Sequence, residues 1–279
     1  MIELGKYQEM EIRRFVDFGA YLALSGENDE ILIPQRYLPD NVQLGDTIEV
    51  FVYNDSENRP IATTERPYAT VGEFAFLEVS DVNEVGAFLD WGLPTKHLLV
   101  PFREQRNRMR PGGVYLVYIY VDDNSHRIVA SAKTDKFLGN VLADYRNGDK
   151  VDALVVERTE IGYKVIVDNL HKGIIYSNEI FRPIQLREHI HAFVKRVRDD
   201  GKIDLTLNDK AAKRQAELGD RIIEYLGKPN AVALSDKSSP ELIESLFSCS
   251  KKDFKKAVGH LYRARRITLS PTGTLTLPL

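Results

Sequence analysis

The chain repeats itself, and the repeat sets the terms for everything else it can fold into. The stretch "DFGAYLAL" (17–24) returns as "EVGAFLDW" (84–91), with Gly19 and Gly86 standing 67 residues apart. The same interval separates Pro34 of "ILIPQR" from Pro101 of "LLVPFR", Gly45 from Gly112, and Gly5 from Gly72. Four landmarks in one register mark a tandem array, which has to be recognised before any element is assigned. A looser third copy, "NGDKVDALVVERTEIGYKVIVDN" (147–169), runs from Gly148 to Gly162, and "KGIIYSNEIF" and "AFVKRVRDDGKIDLTLN" follow it. Length alone suggests about two domains. The repeat overrules that and predicts units at 1–67, 68–140 and 141–210, with a remainder at 211–279.

Each unit reads as five short strands. In the first, "YQEMEIRRFVDF" alternates loosely, Gly19-Ala20 permits a turn or bulge, and "YLALS" returns. "EILIP" is a short third strand, and "LGDTIEVFVYN" enters on a Gly-Asp turn with Ile48, Val50 and Val52 on one face. "RPIATTE" follows the polar turn "DSEN" as the fifth. Asp200-Gly201 marks the last tight turn of the third unit. Five short strands in so few residues bury a core by curling into a closed barrel, which also removes their edges. The expected fold class is therefore mainly β with an α-helical C-terminus: three tandem five-stranded OB-fold barrels and a helical unit.

That unit begins after Asn208, where the spacing turns helical. "KAAKRQAELGDRIIEYLGK" sets Leu218, Ile222 and Tyr225 on one face and stops at Gly227. "SPELIESLF" has Ser239 as N-cap and Pro240 in the first position. "SKKDFKKAVGHLYRARR" has Ser250 as cap and Phe254, Val258 and Leu261 as its apolar stripe. "RITLSPTGTLTLPL" reads as a hairpin with a Pro-Thr-Gly turn. Helices followed by a hairpin describe a winged helix-turn-helix.

The order Gly, strand, "DFGAYL", "LGDTIEV", acidic turn, "RPIATTE" resembles the S1 domain, an OB-fold RNA-binding module. Three such modules before a helical segment resemble the conserved virulence factor B (CvfB-like) family across essentially the whole chain. The resemblance implies a binding surface of aromatics on the second-strand side, a residue after the third strand, and an Asp and a cation at the last turn. It maps to Phe18, Tyr21, Asp55 and Arg59 in the first unit, Phe88, Asp123 and Arg127 in the second, and Lys164, Tyr176, Asp199 and Lys202 in the third. Val85 and Ile161 take the first aromatic position of the later units. Single-stranded nucleic acid is held by stacking on exposed aromatics and by cations along the phosphates. With Leu22 and Leu24 inward, strand alternation turns Tyr21 outward; the alternative is that these aromatics are core. Arg59 is either a phosphate ligand or a solvated hairpin charge.

Charge is uneven along the array. Residues 1–67 carry 6 cationic and 13 anionic side chains, and residues 211–279 carry 12 and 7. Since neutralising phosphate is the main sequence-independent source of affinity, binding is expected to be spread along the chain. Lys252, Lys255 and Lys256 are expected to touch backbone from the winged helix, and the "FREQRNRMR" loop offers Arg103, Arg106, Arg108 and Arg110. The sequence holds no P-loop, dinucleotide fingerprint or G-x-S-x-G. His189 and His191 share a strand face with no third ligand nearby, and the Asp122-Asp123 and Asp199-Asp200 pairs sit at turns. The expectation is a non-catalytic protein without cofactor or metal. One cysteine, Cys249, suits a reducing compartment, and no run of residues is apolar enough to cross a membrane. A cytoplasmic protein binding single-stranded RNA is expected; the alternatives are a protein–protein scaffold whose barrels and winged helix dock on transcription or translation machinery, and DNA binding or a protein partner through the winged helix.

Overall fold

A leading glycine opens every barrel and closes the same hydrogen bond. Gly5, Gly72 and Gly148, at φ of 74°, 91° and 94°, donate to the carbonyls of Val52, Ile119 and Val194. The left-handed conformation costs a residue with a Cβ about 1–2 kcal/mol, which is why glycine recurs there. The computed structural model describes residues 1–278 apart from 95, 181, 209, 236, 237, 271 and 272, and apart from the side chains of 179 and 210–216.

The first barrel consists of β1 (Tyr7–Val16), β2 (Gly19–Ala23), β3 (Glu30–Pro34), β4 (Thr47–Asn54) and β5 (Pro60–Thr63), closed in the order β1-β2-β3-β5-β4. The second consists of β6 (Phe74–Val82), β7 (Gly86–Leu93), β8 (Lys96–Pro101), β9 (Val114–Val121) and β10 (Ile128–Ser131). β11 (Lys150–Thr159), β12 (Gly162–Val167), β13 (His171–Tyr176), β14 (His189–Val197) and β15 (Ile203–Thr206) close the third. Parallel pairs seal the outer two, Leu32 against Ile61 and Gly173 against Ile203.

The middle barrel departs from the expected closure, because β8 and β10 form no ladder. The buried Glu104 bridges that seam instead. Its carboxylate accepts from Ser131 Oγ at 2.6 Å and Lys136 Nζ at 2.8 Å, and its carbonyl accepts from Ala132 N at 2.9 Å. Burial alone would raise its pKa; the bonds from Lys136 and Ser131 outweigh burial and hold the carboxyl below its usual range.

One local expectation is corrected. The first hairpin turns at Asp17-Phe18, and Gly19 already lies in β2. What requires glycine there is close approach: a Cβ on Gly19, Gly86 or Gly162 would lie 2.0, 2.3 or 2.1 Å from the carbonyl oxygen of Ile33, Val100 or Ile175. The weakness of the third copy has a local cause as well. Gly45 and Gly112 (φ 88° and 73°) donate to Ile12 O and Val79 O, whereas Arg187 holds the corresponding left-handed position at φ 72° and donates to Val155 O.

The face of β4 opposite Val50 and Val52 is buried too, because barrel 2 packs on it. Phe51 and Tyr53 share a core with Trp91, whose ring meets Phe51 edge-on at 5.5 Å. Barrels 2 and 3 join through Phe74, Leu154 and Ile166, with Phe74 N donating to Asn169 Oδ1 at 3.0 Å.

The C-terminal unit contains α1 (Lys210–Leu226), α2 (Pro240–Phe247), α3 (Lys251–Arg263) and the pair β16 (Thr268–Leu269) and β17 (Leu275–Thr276). Ser239 and Ser250 accept from Leu242 N and Asp253 N as N-caps. Leu218, Ile222, Ile243, Phe254, Val258 and Leu261 meet in one core, with Tyr225 half-buried against it. Pro271-Thr272 of the expected turn, like the side chains of Lys210–Ala216, falls outside the described residues.

Candidate nucleic-acid interface

The three barrels present the same short patch. Each first hairpin turn lifts one apolar residue into solvent: Phe18, Val85 and Ile161 are 58%, 52% and 58% exposed. Their carbonyls accept from Gln35 N, Phe102 N and Ser177 N, the first residues of a 3-10 turn that follows the third strand. This bond fixes the tip against the end of that strand. Pro34, Pro101 and Tyr176 sit there, paired with Gly19, Gly86 and Gly162.

Two residues beyond each of these glycines stand Tyr21, Phe88 and Lys164. Tyr21 is half-buried between the fully buried Ala20 and Leu22, on the outer face of the barrel. Its partner across the hairpin is Arg14, whose guanidinium lies 3.7 Å from the ring centroid and pairs with Glu30 at 2.9 Å. A bulge puts Arg14 there, since the register shifts between Ile12 and Arg14. Equivalent bulges occur between Val79 and Asp81 and between Val155 and Glu157. Phe88, half-buried, thus faces Asp81, and Lys164 faces Glu157, which it pairs with at 2.9 Å. Among the described residues, only the first barrel sets a cation over an aromatic at this position. The bulge shifts the strand by one residue, so simple alternation in the sequence does not reveal these partners.

The last hairpin of each barrel supplies a cation. Asp55 and Arg59, Asp122 and Arg127, and Arg198 and Lys202 close these turns through equivalent backbone bonds. The residue matching Asp55 in the second barrel is therefore Asp122 and not the expected Asp123, and in the third Arg198 and not Asp199. Asp55 accepts from Glu57 N and Arg59 N, and Arg59 pairs with both Asp55 (2.8 Å) and Glu57 (3.0 Å). Burial would raise the Asp55 pKa, but the bonds from Arg59 outweigh it and keep the carboxyl low. Arg127 donates to Asn58 Oδ1 of the first barrel at 3.1 Å, and Lys202 pairs with Asp200 at 2.9 Å. Tyr176 Oη reaches Asp204 at 3.5 Å, which also pairs with Arg196 at 2.6 Å.

The loop arginines divide. Arg103 pairs with Asp122, Arg106 with Asp135, and Arg108 covers Phe102 at 3.7 Å, while Arg110 is exposed. On α3, Lys252, Lys255 and Lys256 are exposed, and Phe254, Ala257, Val258 and Leu261 face inward. Lys252, in the first turn, opposes the helix dipole by a few tenths of a kcal/mol to about 1 kcal/mol, so helix stability does not account for it. His191 pairs with Asp152. Among the described residues, no three potential ligands cluster to hold a metal, and no helix is long and apolar enough to cross a membrane.

The S1 domain family matches residues 4–65, and the CvfB-like winged helix domain family matches residues 220–275. The chain is 26% identical over 264 residues to Conserved virulence factor B of Staphylococcus aureus (strain bovine RF122 / ET3-1), covering 91% of this chain and 86% of that one. The C-terminal unit thus matches the CvfB-like winged helix domain family, and the chain as a whole is similar to Conserved virulence factor B. Neither matched domain family is a catalytic one, and both are of nucleic-acid-binding type. The crystal structure of a multidomain protein with nucleic acid binding domains from Streptococcus pneumoniae TIGR4 aligns with this chain at 23% identity and a TM-score of 0.40, covering 99% of this chain and 98% of that one.

Proposed function

We propose that this chain is a non-catalytic, cytoplasmic RNA-binding protein that holds single-stranded RNA with low sequence specificity and regulates gene expression after transcription or at translation. We assign the work to units at 1–67, 68–140, 141–210 and 211–279. The observation that carries the reading is the threefold recurrence of one patch: an exposed apolar tip, an outward second-strand residue and a hairpin cation. Stacking surface beside cations suits unpaired bases and their phosphates without reading base edges. In the first barrel Tyr21 and Arg59 supply the two functions. Phe88 and Arg127 take these roles in the second barrel. The third offers Lys164, Lys202 and Tyr176, and Lys252, Lys255 and Lys256 add phosphate contacts from the winged helix. Filter binding of labelled single-stranded RNA across a salt series tests the proposal. A steep loss of affinity with salt is expected. Absence of binding at low salt refutes it and favours a surface for protein partners.

A further inference from the structure

Between barrels 2 and 3 lies a cleft of about 720 Å³ whose lining unites residues from both. Barrel 2 contributes Tyr115, Leu116 and Leu138, and barrel 3 contributes Val156 and Ile174. Beneath them the two barrels are locked by Phe74, Leu154 and Ile166, so the cleft has an apolar floor. Its lining also carries five cations, Arg106, Lys164, Lys172, Arg198 and Lys202, against two carboxylates, Asp135 and Glu157. The chain as a whole carries a net charge of −3, so this concentration of positive charge is local.

We propose that this cleft is a composite site for a nucleoside phosphate, in which the base rests on apolar surface shared by the two barrels and the phosphate meets cations mainly of barrel 3. The inference rests on the RNA-binding reading above and adds a location that neither barrel provides alone. Lys164 occupies the position held by Tyr21 and Phe88 in the other barrels, and here it lines the cleft beside Lys202. The third barrel carries a cation where the other two carry an aromatic, and there the neighbouring barrel supplies apolar surface. A volume of this order lies within the range of small-ligand pockets and accommodates about one or two nucleotides.

The cations already have acidic neighbours. Lys164 pairs with Glu157 at 2.9 Å, Lys172 with Asp135 at 2.7 Å and Lys202 with Asp200 at 2.9 Å. Exposed pairs of this kind are worth about 0–1 kcal/mol, so a phosphate with several acceptor oxygens competes for them. The ligand is either a nucleotide unit within an RNA strand or a free nucleotide, and both present the same base and phosphate.

The test uses the full chain, a short fluorescein-labelled oligouridylate as probe and AMP as competitor. The variants are the double substitution Arg198→Ala with Lys202→Ala, which removes exposed hairpin cations, and Leu138→Trp, which fills the cleft while keeping every charge. Thermal melts check folding of each. Removing two cations that each neutralise a phosphate of a single strand flattens the salt slope by about 1.4, equivalent to about 25-fold weaker binding near 0.1 M salt if affinities converge near 1 M. Leu138→Trp is expected to weaken binding without changing the slope. AMP competition with wild type that the double variant loses identifies a free nucleotide as the ligand. Weakened RNA binding without AMP competition places the site within the RNA path. If wild type binds RNA and both folded variants match it in affinity and slope, the cleft inference is overturned while RNA binding stands. Failure of wild type to bind either probe overturns both.

Discussion

Replacing Tyr21 by Ala separates a stacking residue from a core residue. Tyr21 is half-buried, and its exposed face is covered by the Arg14 guanidinium at 3.7 Å, which is itself held by Glu30 at 2.9 Å. Removing this cation–π interaction costs about 0.5–1 kcal/mol at an exposed site. Arg14 keeps Glu30, so with the buried part of the ring added the stability loss from Tyr21→Ala should stay at about 1–2 kcal/mol. Neighbouring Leu22 is 0% exposed in the barrel core, and Leu22→Ala should cost about 2–5 kcal/mol. Binding should rank the two variants in the opposite order. A stacked base contributes about 1–3 kcal/mol, and displacing or sandwiching Arg14 takes back part of that. The net effect of Tyr21→Ala on RNA binding is then about 1–2 kcal/mol, or roughly 5- to 30-fold in Kd. Urea unfolding and fluorescence anisotropy on the same preparations measure both quantities. A stability loss equal to that of Leu22→Ala, or an unchanged Kd, would refute the stacking role.

Phe51→Ala should cost about 3–5 kcal/mol and uncouple the first two barrels, since Phe51 is fully buried against Trp91; calorimetry should then resolve a separate transition for barrel 1. His171 is buried, edge-on to Tyr145 at 5.5 Å, and its Nδ1 has no hydrogen-bond partner among the described residues. Burial, only partly offset by the Asp168 carboxylate, holds its pKa below the ordinary 6.5. The unfolded chain therefore binds this proton first, so the stability is complete above pH 6.5 and is lost as pH falls from there through the folded-state value. Urea midpoints measured across that window should fall with pH in wild type, and His171→Phe should flatten the dependence. Deleting residues 211–279 should lower RNA affinity and reduce the salt slope by about 0.7 for each phosphate that is no longer neutralised; an unchanged slope would assign the winged helix to a protein partner.

Much of this fold was legible because it depends on residues close together in the chain. The 67-residue register identifies Gly5 with Gly72 and Gly19 with Gly86, and both pairs serve one backbone requirement, a left-handed residue or a carbonyl at contact distance. Helix caps at Ser239 and Ser250 and the stripe Phe254, Val258, Leu261 follow equally local rules. The exposed tips of the candidate surface could be aligned in all three units for the same reason. Their surroundings could not. Arg14 lies over Tyr21 only because a bulge resets the strand, and Phe51 is buried only because a second barrel covers the outer face of β4. Glu104 replaces a ladder that the repeat pattern implies, and the basic cleft exists only where barrels 2 and 3 meet. Patterning along a strand assigns the faces of one barrel, but burial of an outer face and convergence of distant charges depend on how separate barrels dock. Docking is set by shape and contact between residues far apart in sequence, and for that only the tertiary structure supplied the answer.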